Sequence, residues 1–201
     1  SDGSLSTPTA GTSNVRFGVN AGNSIASGGN YNVVLGDEAG TAITTGDFNT
    51  AIGFEALKTE DAHGYNTAVG YQALKTQDAG ADAANTAVGY QAGLDITTGH
   101  SNVLMGASAG ANITEGDNNT VMGSNAGLSV TTGEQNTIVG SISGDALTVG
   151  VSNVSMGYFS LSADTQGSTS TAIGRASLAN QNFTTATDSF NTAVGAQAGA
   201  Q

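Results

Sequence analysis

Serine, histidine and carboxylate side chains carry most enzyme chemistry, and each occurs in this chain at a spacing worth testing. Gly106-Ala-Ser108-Ala-Gly110 has the G-x-S-x-G spacing of a nucleophile elbow, in which a strained strand-to-helix turn lifts a serine hydroxyl toward a histidine and an acid. The imidazoles are His63 and His100. Neither has the H-E-x-x-H spacing of a helical metal site, and there is no Cys to supply thiolate ligands. Carboxylates are plentiful, including Asp37, Glu38, Asp47, Glu60, Asp61, Asp78, Asp82, Asp117 and Glu134. They match neither the EF-hand loop nor the calcium-binding nonapeptide, so they are expected to form a solvated acidic surface rather than a calcium site. Phe54, Tyr65, Tyr71 and Tyr90 could make an aromatic stripe for stacking on sugars, though packing over the chain itself is the simpler expectation.

The elements that would have to position these groups are set by a repeat. Asn, two variable residues, an aliphatic residue or Met, and then Gly recur along the whole chain. The asparagines are Asn14, Asn32, Asn49, Asn66, Asn85, Asn102, Asn119, Asn136, Asn153 and Asn191, with Ser170 in the same place once. The glycines are Gly18, Gly36, Gly53, Gly70, Gly89, Gly106, Gly123, Gly140, Gly157, Gly174 and Gly195. The step is 17 residues in most cases, with departures to 18, 19 and 21. Ala or Ser followed by Gly or Leu comes three residues after the motif glycine, as in Ala39-Gly40 and Ala56-Leu57. An aliphatic residue lies six places before the asparagine in many units: Ile43, Ile96, Ile113, Val130 and Leu147.

Segments such as Thr-Ala-Val are too short for a helix and are often β-branched, so each predicts a short strand. A unit of this size cannot bury its apolar side alone and must stack on its neighbours. The fold expected is therefore all-β, a parallel β-solenoid or β-roll of about 10–11 coils, spanning residues 14–201 behind an N-terminal polar segment 1–13.

Stacking puts equivalent residues of successive coils about 4.8 Å apart, so the asparagines become a ladder whose amides donate and accept along the column. The motif glycine marks a positive φ or a close backbone approach, and Val there should cost more than Ala. The aliphatic residue before it (Ile52, Val69, Val88, Met105, Met122, Val139) is expected to face inward, which makes Met105, Met122 and Met156 core. The residue before that is also often apolar. Both faces of the strand therefore look covered, and a second copy of the chain is the obvious cover. In register, the slot of Ser108 is held by Glu38 and Asn125 in other units, so the serine reads as one filler of a variable position.

The unit Asn-Thr-Ala-Val/Ile-Gly-x-x-Ala, seen at Asn49–Ala56, Asn66–Ala73 and Asn85–Ala92, resembles the degenerate repeats of YadA-like heads of trimeric autotransporter adhesins. It is also similar to the repeats of phage tail-fibre proteins. In YadA-like heads each chain forms a left-handed parallel β-roll and three chains pack about an axis. The resemblance accordingly implies a homotrimer and an extracellular, cell-surface or virion setting.

The formal charge of −12 disfavours nucleic acid and anionic lipid as partners, and no apolar run is long enough to insert into a membrane. The chain starts at Ser1 and ends within a repeat, so it is expected to be a processed product or an excised piece, open at its ends. The function expected is a structural or adhesive fibre module that self-associates as a trimer or filament and meets a glycan or protein receptor. It is expected to use no cofactor, no metal and no catalytic residue. The alternative is a ligand-binding solenoid for glycan or ice, since Thr44-Thr45, Thr97-Thr98 and Thr131-Thr132 line up in places.

Overall fold

The computed structural model describes residues 11–200; residues 1–10 of the N-terminal polar segment and Gln201 lie outside the described residues. The described chain is all-β, a parallel solenoid in which every motif copy supplies one three-residue strand. These are β1 (Val15–Phe17), β2 (Val33–Leu35), β3 (Thr50–Ile52), β4 (Thr67–Val69), β5 (Thr86–Val88), β6 (Val103–Met105), β7 (Thr120–Met122), β8 (Thr137–Val139), β9 (Val154–Met156), β11 (Thr171–Ile173) and β13 (Thr192–Val194). They form one 11-stranded parallel sheet with each strand bonded to those one coil before and after. The two-residue strands β10 (Gly167–Ser168) and β12 (Thr187–Asp188) pair separately near the C-terminal end. Register is set by the repeat, for example Thr50 against Thr67, Ala51 against Ala68 and Ile52 against Val69.

Strands this short leave most of each coil to corners, and the corners are left-handed. In the coil of β3, Phe48, Glu55 and Leu57 have φ of 58°, 53° and 48°. Each non-glycine residue in that region costs roughly 1–2 kcal/mol, a cost that stacking offsets by pairing its N–H with a neighbouring coil. Phe48 donates to the Asn30 carbonyl (3.1 Å), Glu55 to Asp37 (3.1 Å) and Leu57 to Ala73 (3.0 Å). The motif glycine meets both of its sequence-derived conditions. At Gly89, φ is +144°, and a Cβ would lie 2.3 Å from the Gly106 carbonyl oxygen of the next coil.

The core contradicts one expectation. The inward residue of each strand is the middle one: Val34, Ala51, Ala68, Ala87, Leu104, Val121, Ile138 and Ala172 are all fully buried. Met105, Met122 and Met156, expected in the core, are 40%, 37% and 40% exposed, and Ile52, Val69, Val88 and Val139 are half-buried on the same outer side. The reason is strand parity. The asparagine amide points into the coil, so the residue two places on points inward as well, and the aliphatic residue after that points out.

A second regularity is volume matching. Where the inward strand residue is branched and large, as at Val34, Leu104, Val121 and Ile138, the left-handed position six residues later is Gly40, Gly110, Gly127 or Gly144. Where it is Ala51, Ala68, Ser155 or Ala172, that position is Leu57, Leu74, Leu161 or Leu178. A Cβ on Gly110 would sit 2.9 Å from a methyl of Leu104, so the strand side chain occupies the space a leucine fills elsewhere. Eight coils thus keep the core volume by one of two alternative fillings; in the coil of β5 both positions are small, Ala87 and Gly93, and Leu74 and Leu104 of the adjoining coils reach into the Gly93 site.

Candidate functional site

The asparagine column is the internal spine. From Asn14 to Asn153 the backbone N–H of each asparagine donates to the Oδ1 of the one before, at 2.8–3.1 Å. The Nδ2 of Asn119 donates to Asn102 Oδ1 (3.1 Å) and to the Gly133 carbonyl of the next coil (2.9 Å). The spine stops at Ser170, whose N–H takes Asn153 Oδ1 (2.9 Å) but which has no amide to pass on. Asn191 is exposed, and its amide bonds Gln181 instead (2.7 Å).

The outer face of the sheet is the most extensive exposed feature. Its first column is Val15, Val33, Thr50, Thr67, Thr86, Val103, Thr120, Thr137, Val154, Thr171 and Thr192, and its second runs from Phe17 through Val69, Met105 and Met122 to Val194. None of these residues is charged, although the chain carries 16 acids and 4 bases. At about 4.8 Å per coil the strip is roughly 50 Å long, and two outward residues make it about 10 Å wide. That is a footprint of about 500 Å², uncharged throughout and apolar except for its seven threonines.

Aromatic residues stand two places before and two places after the strands in coils two to five. Tyr31, Phe48 and Tyr65 stack with centroids 5.1 and 5.2 Å apart, and Phe54, Tyr71 and Tyr90 with centroids 5.5 and 5.2 Å apart. The sequence stripe of Phe54, Tyr65, Tyr71 and Tyr90 thus resolves into two ladders, with Tyr65 in the other one. Near-parallel stacking occupies the ring faces a sugar would need, so inner rings offer only their edges.

The remaining sequence candidates take structural places. Ser108 lies in a left-handed solenoid corner (φ 54°), donating its N–H to Tyr90 O (2.8 Å). The described residues contain no helix, so Gly106–Gly110 is not the strand-to-helix turn that an elbow requires. The corner hydroxyls of Thr44, Thr97 and Thr131 donate to carbonyls of the next coil (3.0, 3.1 and 3.3 Å) and so tie neighbouring coils together. Several acids are also more than surface charge. Asp47, Asp82 and Asp117 accept the N–H of Asn30 (2.6 Å), Gly64 (2.9 Å) and His100 (2.6 Å), each one coil away.

Glu38, Lys58, Glu55 and Lys75 form an ion-pair chain across three coils, with Lys58 to Glu55 and Lys75 to Glu55 both at 2.6 Å. Lys58, Lys75 and the amide of Gln72 together hold the Glu55 carboxyl down at about 2. Glu60 overturns the solvated-surface expectation, because it is fully buried, and burial pushes its carboxyl above the usual range. One ligand atom each from Glu60, Asp61 and His63 lies within 4.8 Å of the other two. Register held the signal: counting six places back from Asn66 lands on Glu60, in the aliphatic column.

No family model, curated protein or solved structure matches this chain.

Proposed function

We propose that the protein is a structural and adhesive module of an extracellular or virion fibre, built as a homotrimer whose chains cover one another along the outer face of the sheet. The observation that carries this reading is the uncharged strip itself. A chain with a net charge of −12 keeps every acid and base off eleven consecutive strand faces, while those faces present Val, Ile, Leu, Met and Thr to the outside. With the flanking aromatic ladders the strip approaches the roughly 800 Å² per partner of a standard interface. The coil-to-coil bonding of strands, corners and asparagines supplies stiffness along the axis. The variable corner positions, of which Glu38, Ser108 and Asn125 are one set, supply a surface on which a glycan or protein receptor would be read.

Analytical ultracentrifugation tests this reading. The expected species has three times the 19.7 kDa chain mass, and Met122→Glu, which places a charge at the centre of the strip, yields monomers with an unchanged far-UV spectrum. A wild-type protein that stays monomeric at tens of micromolar refutes it.

A second reading of the same strip has its own support. The outward threonines Thr50, Thr67, Thr86, Thr120, Thr137, Thr171 and Thr192 lie in one column of the sheet, interrupted by Val103 and Val154, beside an aliphatic column, with a repeat of about 4.8 Å along the axis and about 6.6 Å along the strand. A regular hydroxyl and methyl array of this kind suits an ordered water surface, which makes ice the alternative ligand. Thermal hysteresis from a monomer, abolished by Thr120→Lys, selects that reading.

A further inference from the structure

The column six places before the asparagine is aliphatic at Ile43, Ile96, Ile113, Val130 and Leu147, and carboxylates interrupt it at Glu60 and, six places before Ser170, at Asp164. Both are fully buried, yet they are treated differently. Asp164 is saturated: its Oδ1 accepts the N–H groups of Gly167 (2.9 Å) and Phe183 (3.0 Å), and its Oδ2 accepts Gln181 Nε2 (2.6 Å). Glu60 has one donor, the His63 N–H, 3.2 Å from Oε1, and its Oε2 is buried without a partner.

The neighbouring coil gives Glu60 nothing. Gln77, the polar residue that replaces an aliphatic one there, spends its Oε1 on Asn85 (2.6 Å) and its Nε2 on the Thr97 carbonyl (3.4 Å). On the other side of Glu60, His63 Nδ1 is also buried without a hydrogen-bond partner and lies 3.5 Å from Glu60 Oε1. Glu60 Oε2 and His63 Nδ1 are thus two buried polar atoms without hydrogen-bond partners on neighbouring side chains, a costly arrangement that a cation between them would relieve.

We propose that Glu60, Asp61 and His63 form a divalent metal site of the zinc type, with Glu60 and His63 as the fixed ligands and the exposed Asp61 as the adjustable one. An imidazole nitrogen with two carboxylates is a donor set that zinc accepts, whereas calcium requires six to eight oxygens and magnesium an octahedron of oxygens and waters. Bonds of about 2.0–2.2 Å place tetrahedral ligand atoms about 3.4 Å apart; His63 Nδ1 and Glu60 Oε1 are already 3.5 Å apart, and atoms within 4.8 Å of one another need draw in by at most about 1.4 Å. Asp61 has the solvent exposure to make that movement. Three protein ligands leave a fourth position open to water. The ion would replace the missing aliphatic packing of this coil with coordination bonds.

The test is calorimetric titration of the EDTA-stripped protein with zinc chloride, paired with thermal melts in the presence and absence of zinc. The expected result is one saturable zinc per chain and a melting midpoint raised by several degrees at saturation. His63→Ala and Glu60→Ile each weaken binding at least tenfold. Glu60→Ile restores the residue found at Ile43, Ile96 and Ile113, so its zinc-free melt is expected to match or exceed that of the wild type. His100→Ala is the control: His100 Nδ1 also lies 3.5 Å from a carboxylate, that of Asp117, but both side chains are about one-third exposed, and its loss leaves binding unchanged. Absence of saturable zinc binding, wild-type affinity in His63→Ala or Glu60→Ile, or loss of binding in His100→Ala each overturns the proposal.

Discussion

Replacing Asn119 with Ala removes the side chain from the middle of the spine and measures what the spine is worth. Four hydrogen bonds are lost: Asn119 Nδ2 to Asn102 Oδ1 and to the Gly133 carbonyl, and the N–H and Nδ2 of Asn136 to Asn119 Oδ1. Asn102 Oδ1 keeps the backbone N–H of residue 119, so it is not orphaned. The Asn136 N–H and the Gly133 carbonyl lose the partners the side chain gave them. At about 1–3 kcal/mol for each buried polar group left unpaired, Asn119→Ala should cost about 4 kcal/mol. That is a large share of the roughly 5–15 kcal/mol by which ordinary domains are stable. Asn191→Ala removes one exposed bond and should cost less than about 1 kcal/mol. Urea denaturation gives the difference between the two variants. Amide exchange at the coils of β6, β7 and β8 shows whether the loss is local, as nearest-neighbour stacking requires. A cost below about 1 kcal/mol for Asn119→Ala, or equal costs for the two variants, would refute the idea that the amides hold the coils together.

Two further outcomes follow from the core and the ion-pair chain. Ala68→Leu should overpack its coil by about 1–3 kcal/mol and Leu74→Gly should leave a cavity worth about 2–5 kcal/mol, whereas the double variant recreates the Leu104–Gly110 filling. The double-mutant cycle should therefore show a favourable coupling above about 1 kcal/mol, and additivity would contradict the matching rule. The Glu55 carboxyl is lowered from 4.5 to about 2 in the folded protein, so its charge stabilises the fold above the unfolded value and that contribution is lost as pH falls through the folded one. The stability difference between wild type and Glu55→Gln should shrink steadily from pH 5 to pH 2 and stay flat above pH 5, measured by thermal melts at fixed ionic strength.

The fold class could be read from one line of text because a solenoid writes its cross-section repeatedly. The 17-residue step, the three-residue β-branched segments and the glycine marks fix strand position, strand direction and coil number without any long-range information. The face each strand residue takes was a harder matter. A three-residue strand has too little alternation to declare its parity, and in Thr-Ala-Val the larger side chain looked like the core while Ala is what fits inside a coil this narrow. The two ladders into which the aromatic residues separate also depend on which side of the strand each ring is attached, a difference of six residues that the sequence stripe had merged.

Local sequence alone determined the repeat, the asparagine column and the glycine turns, because stacking turns every one-dimensional period into a contact between equivalent positions. Tertiary structure alone decided what lies inside. Whether a residue is buried depends on where the amide beside it points and on what volume the coils above and below have already filled. Glu60 shows the difference most sharply. Its register already puts it in the aliphatic column, but only the closing of the coil buries the carboxylate fully and leaves Oε2 without a hydrogen-bond partner.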